Sequence, residues 1–84
     1  MEQIINDPGS KEYFTKDLGE AAAIVAKGVK MTRLEKDSSF CWFVFDRKNC
    51  DEISSKYWSG ELLIDAKKYN ESLRNLKDRL FAQR

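Results

Sequence analysis

The sequence predicts an α+β domain, a small three-stranded, mainly antiparallel sheet with helices packed on it, in the order β-α-β-β-α-α. Three observations carry that expectation. First, Phe40-Cys41-Trp42-Phe43-Val44-Phe45 is a run of six apolar residues. A strand wet on one face alternates apolar with polar, so this one is expected to be central and covered on both faces. Second, Leu62, Ala66, Tyr69, Leu73, Leu76 and Leu80 recur at spacings of four and three, which is one apolar stripe of a helix. Third, Asp17 with Glu20 three residues later forms the start signal of another helix, and Gly28 forms its stop.

The elements follow in order. Residues 1–11 read as a flexible N-terminal arm, set apart by the turn signal Asn6-Asp7-Pro8-Gly9-Ser10, and residues 12–84 read as one domain. Tyr13-Phe14-Thr15 reads as a short strand. Leu18 to Lys27 follows as a helix whose apolar face, built on Ala21 and Ala22, suits close approach to a sheet. Val29 to Glu35 and Phe40 to Phe45 read as two strands joined by the polar loop Lys36-Asp37-Ser38-Ser39, with the first strand at an edge. Asp46 is read as the cap of a helix from Arg47 to Ser59, with Cys50, Ile53, Tyr57 and Trp58 on one face and Gly60 at its end. Asp65 opens the last helix, which runs to about Phe81. Leu63-Ile64 just before it is ambiguous between coil and a brief strand.

Composition narrows the function classes. Eighty-four residues allow one modest core, and a domain this small gains from a partner or an oligomer. With 15 basic and 14 acidic residues, net charge encodes no strong non-specific attraction to nucleic acid or membrane. The longest apolar run, six residues, is too short to span a bilayer. The chain has no histidine and two cysteines, so a zinc site and a histidine general base are not expected, nor is a cofactor. No secretory leader is read at the start, so Cys41 and Cys50 are expected to be reduced and buried in a cytoplasmic protein. A lowered thiol pKa at Cys50 beside Lys48 is the one route to chemistry, and core packing is the preferred reading of that residue. The chain is read as non-enzymatic, with no catalytic residues.

Two binding readings compete. In the first, the chain is a protein-interaction module that engages itself, as a homodimer, or a host protein. Its candidate contact residues are Phe40, Trp42, Tyr57, Trp58, Tyr69 and Leu76. In the second, it binds single-stranded DNA or RNA. Residues 61–84 carry six basic and four acidic groups against nine and ten in residues 1–60. Lys67, Lys68, Arg74, Lys77 and Arg79 are then the phosphate-contacting candidates, with aromatics stacking on bases. Against this, Lys67, Glu71, Arg74 and Asp78 have the spacing of a self-neutralising ladder.

A resemblance adds to these readings. Asp17-Leu18 with Ala21-Ala22, Gly28, Phe43-Val44-Phe45-Asp46, Tyr57-Trp58-Ser59-Gly60-Glu61-Leu62, Asp65-Ala66-Lys67-Lys68-Tyr69, and Leu73, Leu76-Lys77 and Arg79-Leu80 form a pattern. It resembles a domain-of-unknown-function family of small proteins from bacteria, archaea and their phages, over roughly Tyr13 to Phe81. The resemblance implies a prokaryotic or phage protein acting in the host cytoplasm, and no activity. A phage lifestyle suggests an inhibitor or accessory factor acting on a host machine such as a defence nuclease.

Overall fold

A computed structural model describes residues 9–83. The elements are β1 (Glu12–Thr15), α1 (Leu18–Ala26), β2 (Met31–Asp37), β3 (Phe40–Asp46), α2 (Cys50–Ser59) and α3 (Ala66–Ala82). The order is the expected β-α-β-β-α-α. Most of the expected N-terminal arm lies outside the described residues.

The three strands form one antiparallel sheet in the order β1-β3-β2, so the apolar strand is central and β2 is an edge. Tyr13 pairs with Phe45, Phe14 with Val44 and Thr15 with Phe43 on one side. On the other, Arg33 pairs with Val44, Leu34 with Phe43 and Glu35 with Trp42, after an irregularity between Met31 and Arg33. The hairpin is tighter than expected. Asp37 pairs with Phe40, so Lys36 and Asp37 belong to the strand and only Ser38-Ser39 turn, with Ser38 at φ 41°. The strand also starts later than expected, at Met31, because Val29 is still bonded to α1 through its N–H and the Ile24 carbonyl (3.2 Å).

Directly opposed residues share a sheet face. Tyr13, Phe43 and Phe45 therefore point the same way, and they join Ala21, Ala22, Ile24, Cys50, Ile53 and Leu76 in a single core. Helix α1 is its hub. Five consecutive residues, Glu20 to Ile24, are all buried. Because successive helical residues are about 100° apart, that run spans more than a full turn and the helix is enclosed all round. Alanines make this feasible by letting α2 and α3 approach closely, and α1 packs against both. The α3 stripe thus packs within its own chain: Leu76 is buried, and Tyr69, Leu73 and Leu80 lie half-buried against the core.

Caps at Asp17 and Asp65 form as expected, with Asp17 Oδ1 accepting from the Glu20 N–H (2.8 Å) and Asp65 Oδ2 from the Lys68 N–H (3.1 Å). Gly28 follows α1 at φ 100°, a conformation that glycine adopts without a Cβ clash. The start of α2 differs from expectation. Asp46 is the last residue of β3, and its carboxylate accepts from the Lys48 N–H (3.2 Å) in a turn. The helix begins only at Cys50, behind Asn49 at φ 67°, a left-handed conformation that asparagine tolerates. Residues 61–65 are coil, so Leu63-Ile64 is not a strand and Leu62 precedes α3.

Candidate interaction face

The face of the sheet turned away from the core is built by the alternation of β3 and β1. Since Phe43 and Phe45 face the core, Phe40, Trp42 and Val44 face the other way, and the register places Phe14 beside them. None of these four belongs to the helical core cluster. Val44 is nonetheless fully buried, while Phe14, Phe40 and Trp42 are half-buried. The rings pack edge-on: Trp42 lies 5.3 Å from Phe40 and 6.3 Å from Phe14, with interplanar angles of 79° and 88°. Such T-shaped geometry aligns the positive edge of one ring with the negative face of the next.

Charged groups frame this aromatic strip. Lys16 Nζ stands 4.8 Å from the Phe40 ring centroid and 6.0 Å from that of Trp42. The Arg33 guanidinium stands 5.9 Å from the Phe14 ring and donates to both Glu12 carboxylate oxygens, at 2.7 and 3.2 Å. Arg33 holds the Glu12 carboxyl below its usual range, chiefly through those hydrogen bonds. Trp42 Nε1 donates to Asp37 Oδ2 (3.2 Å), which orients the indole. Among the described residues, Glu12, Glu35, Asp37 and Asp46 share this face with two cations, Lys16 and Arg33. The aromatic strip is therefore rimmed by net negative charge.

The candidate contact residues separate into different places. Phe40 and Trp42 are on the aromatic face. Trp58, 61% exposed, sits at the end of α2 with its ring edge-on to Tyr57 at 5.0 Å. Tyr69 is half-buried, its hydroxyl donating weakly to the Gly19 carbonyl (3.4 Å). Leu76, 3% exposed, is a core residue and is closed to a partner in this fold. Sequence reading passed over Phe14, Lys16 and Arg33. The alternation of Tyr13, Phe14 and Thr15 is the signal for Phe14, but its value depends on β1 pairing with β3, a contact across some thirty residues.

The basic candidates Lys67, Lys68, Arg74, Lys77 and Arg79 are all exposed on α3. The expected ladder does not close. Among the described residues, ion pairs join Arg33 to Glu12 and Glu35, Arg47 to Asp51, and Lys56 to Glu52, and none lies on α3.

Two buried features bear on chemistry. Cys50 is fully buried, and its thiol donates to the Asp46 carbonyl (3.2 Å). Burial, then the nearby Asp51 and Asp46, push its pKa up to about 11, the opposite of an activated thiolate. The second is Glu20, 4% exposed, whose spacing from Asp17 predicts a side chain turned back onto the helix cap. Its side chain instead accepts from the Tyr13 hydroxyl (2.6 Å) and Thr15 Oγ1 (2.7 Å), while the Asp17 N–H donates to Thr15 Oγ1 (3.1 Å). Among the described residues, no group of three His, Cys, Asp or Glu side chains is placed to hold a metal ion, and no helix is long and apolar enough to cross a membrane.

These features define a small α+β domain with a core between its helices and one sheet face, and an aromatic strip on the other. The chain belongs to the family described as domain of unknown function DUF5659, whose model matches residues 10–82. No curated protein and no solved structure matches it.

Proposed function

We propose that this chain is a non-enzymatic protein-interaction module that docks another protein on the Phe14-Phe40-Trp42 face. The observation that carries the reading is the partly buried aromatic strip inside an acidic rim. Aromatic side chains are enriched where proteins meet and supply much of the binding energy. Nucleic-acid interfaces are strongly positive instead, and among the described residues this face carries four carboxylates against two cations. In this reading the chain acts in a prokaryotic cytoplasm, as an accessory factor or inhibitor of a host machine such as a defence nuclease if phage-borne.

The test is capture from bacterial lysate by tagged wild-type and Trp42→Ala chains, with and without nuclease, alongside sedimentation of the purified chain. A protein retained after nuclease by wild type and lost with Trp42→Ala supports the module. Self-association lost in the same variant supports a homodimer. Identical behaviour of the two chains overturns the reading.

A second reading, single-stranded DNA or RNA binding, draws on the exposed Lys67, Lys68, Arg74, Lys77 and Arg79 of α3, which form no ion pair among the described residues. It predicts affinity for an oligonucleotide that falls with salt and falls again in Arg74→Glu/Lys77→Glu. Salt-independent binding counts against it.

A further inference from the structure

We propose that the cleft at the hairpin end of the sheet binds the C-terminal residue of a partner protein, an apolar side chain with its free carboxylate. This deepens the interaction reading above and rests on it. The cleft has a volume of about 420 Å³, inside the range of roughly 300–1,000 Å³ typical of ligand sites. Leu18 from the start of α1, Cys41 and Phe43 from β3, and Leu80 from the end of α3 supply its apolar lining. Lys16 and Lys36 are the charged residues of its lining, and among the described residues no carboxylate lines it.

Three observations select the occupant. Lys36 is directly opposite Cys41 in the sheet, so the base of its side chain shares the apolar side of the strand pair. Neither lysine forms an ion pair among the described residues, so neither charge is neutralised by a salt bridge there. Lys16 also stands over the Phe40 and Trp42 rings, making the cleft continuous with the aromatic face. An occupant complementary to this site has an apolar body and one anionic end. Lysine ammoniums are point charges that pair with carboxylate and phosphate alike, so the apolar lining, not the charge, selects between such occupants. A nucleotide base would also bury polar edges against Leu18, Phe43 and Leu80, leaving them unpaired. The C-terminus of a chain ending in an apolar residue meets both requirements, and capture of a terminal carboxylate is a recurrent mode of peptide recognition.

The experiment is an NMR titration of the full, isotope-labelled chain with four probes. These are acetylated alanyl-alanyl-leucine with a free carboxylate, the same tripeptide as its C-terminal amide, octanoate, and oligothymidylate. The free-carboxylate tripeptide is expected to shift the amide resonances of Lys16, Ser39 and Cys41. The amide is expected to bind at least about tenfold more weakly, and Lys16→Ala/Lys36→Ala to lower the affinity of the acid by about tenfold or more. The circular dichroism of that double variant should match wild type, since both side chains are exposed. Equal binding of acid and amide, or no shift at those positions, overturns the proposal. Binding of octanoate without the tripeptide overturns the peptide assignment, and shifts from oligothymidylate alone overturn it in favour of nucleic acid. The aromatic-face reading is tested separately by Trp42→Ala capture, so failure of the cleft and failure of the face give different results.

Discussion

The Tyr13 hydroxyl donates to Glu20 Oε2 across 2.6 Å, joining β1 to α1 at a carboxylate that is 4% exposed. Thr15 occupies the other carboxylate oxygen at 2.7 Å. Ser54 Oγ lies 2.9 Å from the Tyr13 oxygen. The phenol has one proton, already committed to Glu20, so the Ser54 hydroxyl supplies the proton of that second bond. One buried carboxylate thereby links β1, α1 and α2. Glu20→Ala removes the acceptor from two buried hydroxyls and should cost about 2–4 kcal/mol, the scale of unsatisfied buried groups. Urea unfolding measures this, and a midpoint equal to wild type would show that the network does not hold the core.

Alkaline pH should weaken the fold through Cys50 and Tyr13. Both folded-state pKa values lie above their ordinary values, chiefly because burial disfavours the charged form, with the Glu20 hydrogen bond adding to the effect at Tyr13. The folded state therefore keeps its protons where the unfolded state loses them. The Cys50 contribution is complete below pH 9 and is lost as pH rises from 9 to about 11, amounting to about 2–3 kcal/mol. That of Tyr13 begins to fall above pH 10. In Cys50→Ala, the decline in urea midpoint between pH 9 and 10 should largely disappear. An unchanged slope would assign the decline to other groups.

Gly19 and Tyr57 should be energetically coupled. A Cβ built at position 19 would overlap the Tyr57 hydroxyl, and it would also come within 3.3 Å of the capping Asp17 Oδ1 and 3.4 Å of the Tyr69 hydroxyl. In an unobstructed helix, glycine to alanine stabilises by roughly 0.8–1 kcal/mol. Here the clash should reverse that sign, with a net loss of about 1–2 kcal/mol, on the scale of overpacking. Gly19→Ala in a Tyr57→Phe background should recover most of the loss, because the obstructing oxygen is gone. A double-mutant cycle with no coupling would mean that the Tyr57 ring swings aside at little cost.

Trp42→Ala should separate binding from folding. Its ring contacts with Phe14 and Phe40 are each worth about 0.5–1.5 kcal/mol beyond area burial, and loss of the buried part of the indole adds to this, so the midpoint should fall while circular dichroism shows the variant still folded. Assembly should weaken in this variant and stay unchanged in Lys77→Glu, an exposed position on α3. Loss of assembly in Lys77→Glu alone would move the interface to the basic helix.

The element order, the central place of the Phe40–Phe45 strand and the caps at Asp17 and Asp65 were legible in the chain before any folding. These features rest on local spacing: alternation or its absence within a strand, and a carboxylate within three residues of the N–H it caps. The start of α2 was misplaced because Asp46 has the chemistry of a cap, yet pairing with Glu12 keeps it in the sheet. Tertiary structure alone decided which side of β3 faces the helices, and hence that Phe14 joins Phe40 and Trp42 while Leu76 turns inward. It also decided that Glu20 leaves its own cap for Tyr13 and Thr15. The physical reason is that period and propensity act over a few residues. The face a side chain occupies, and the partner its polar atoms find, depend on strands and helices brought together from distant parts of the chain.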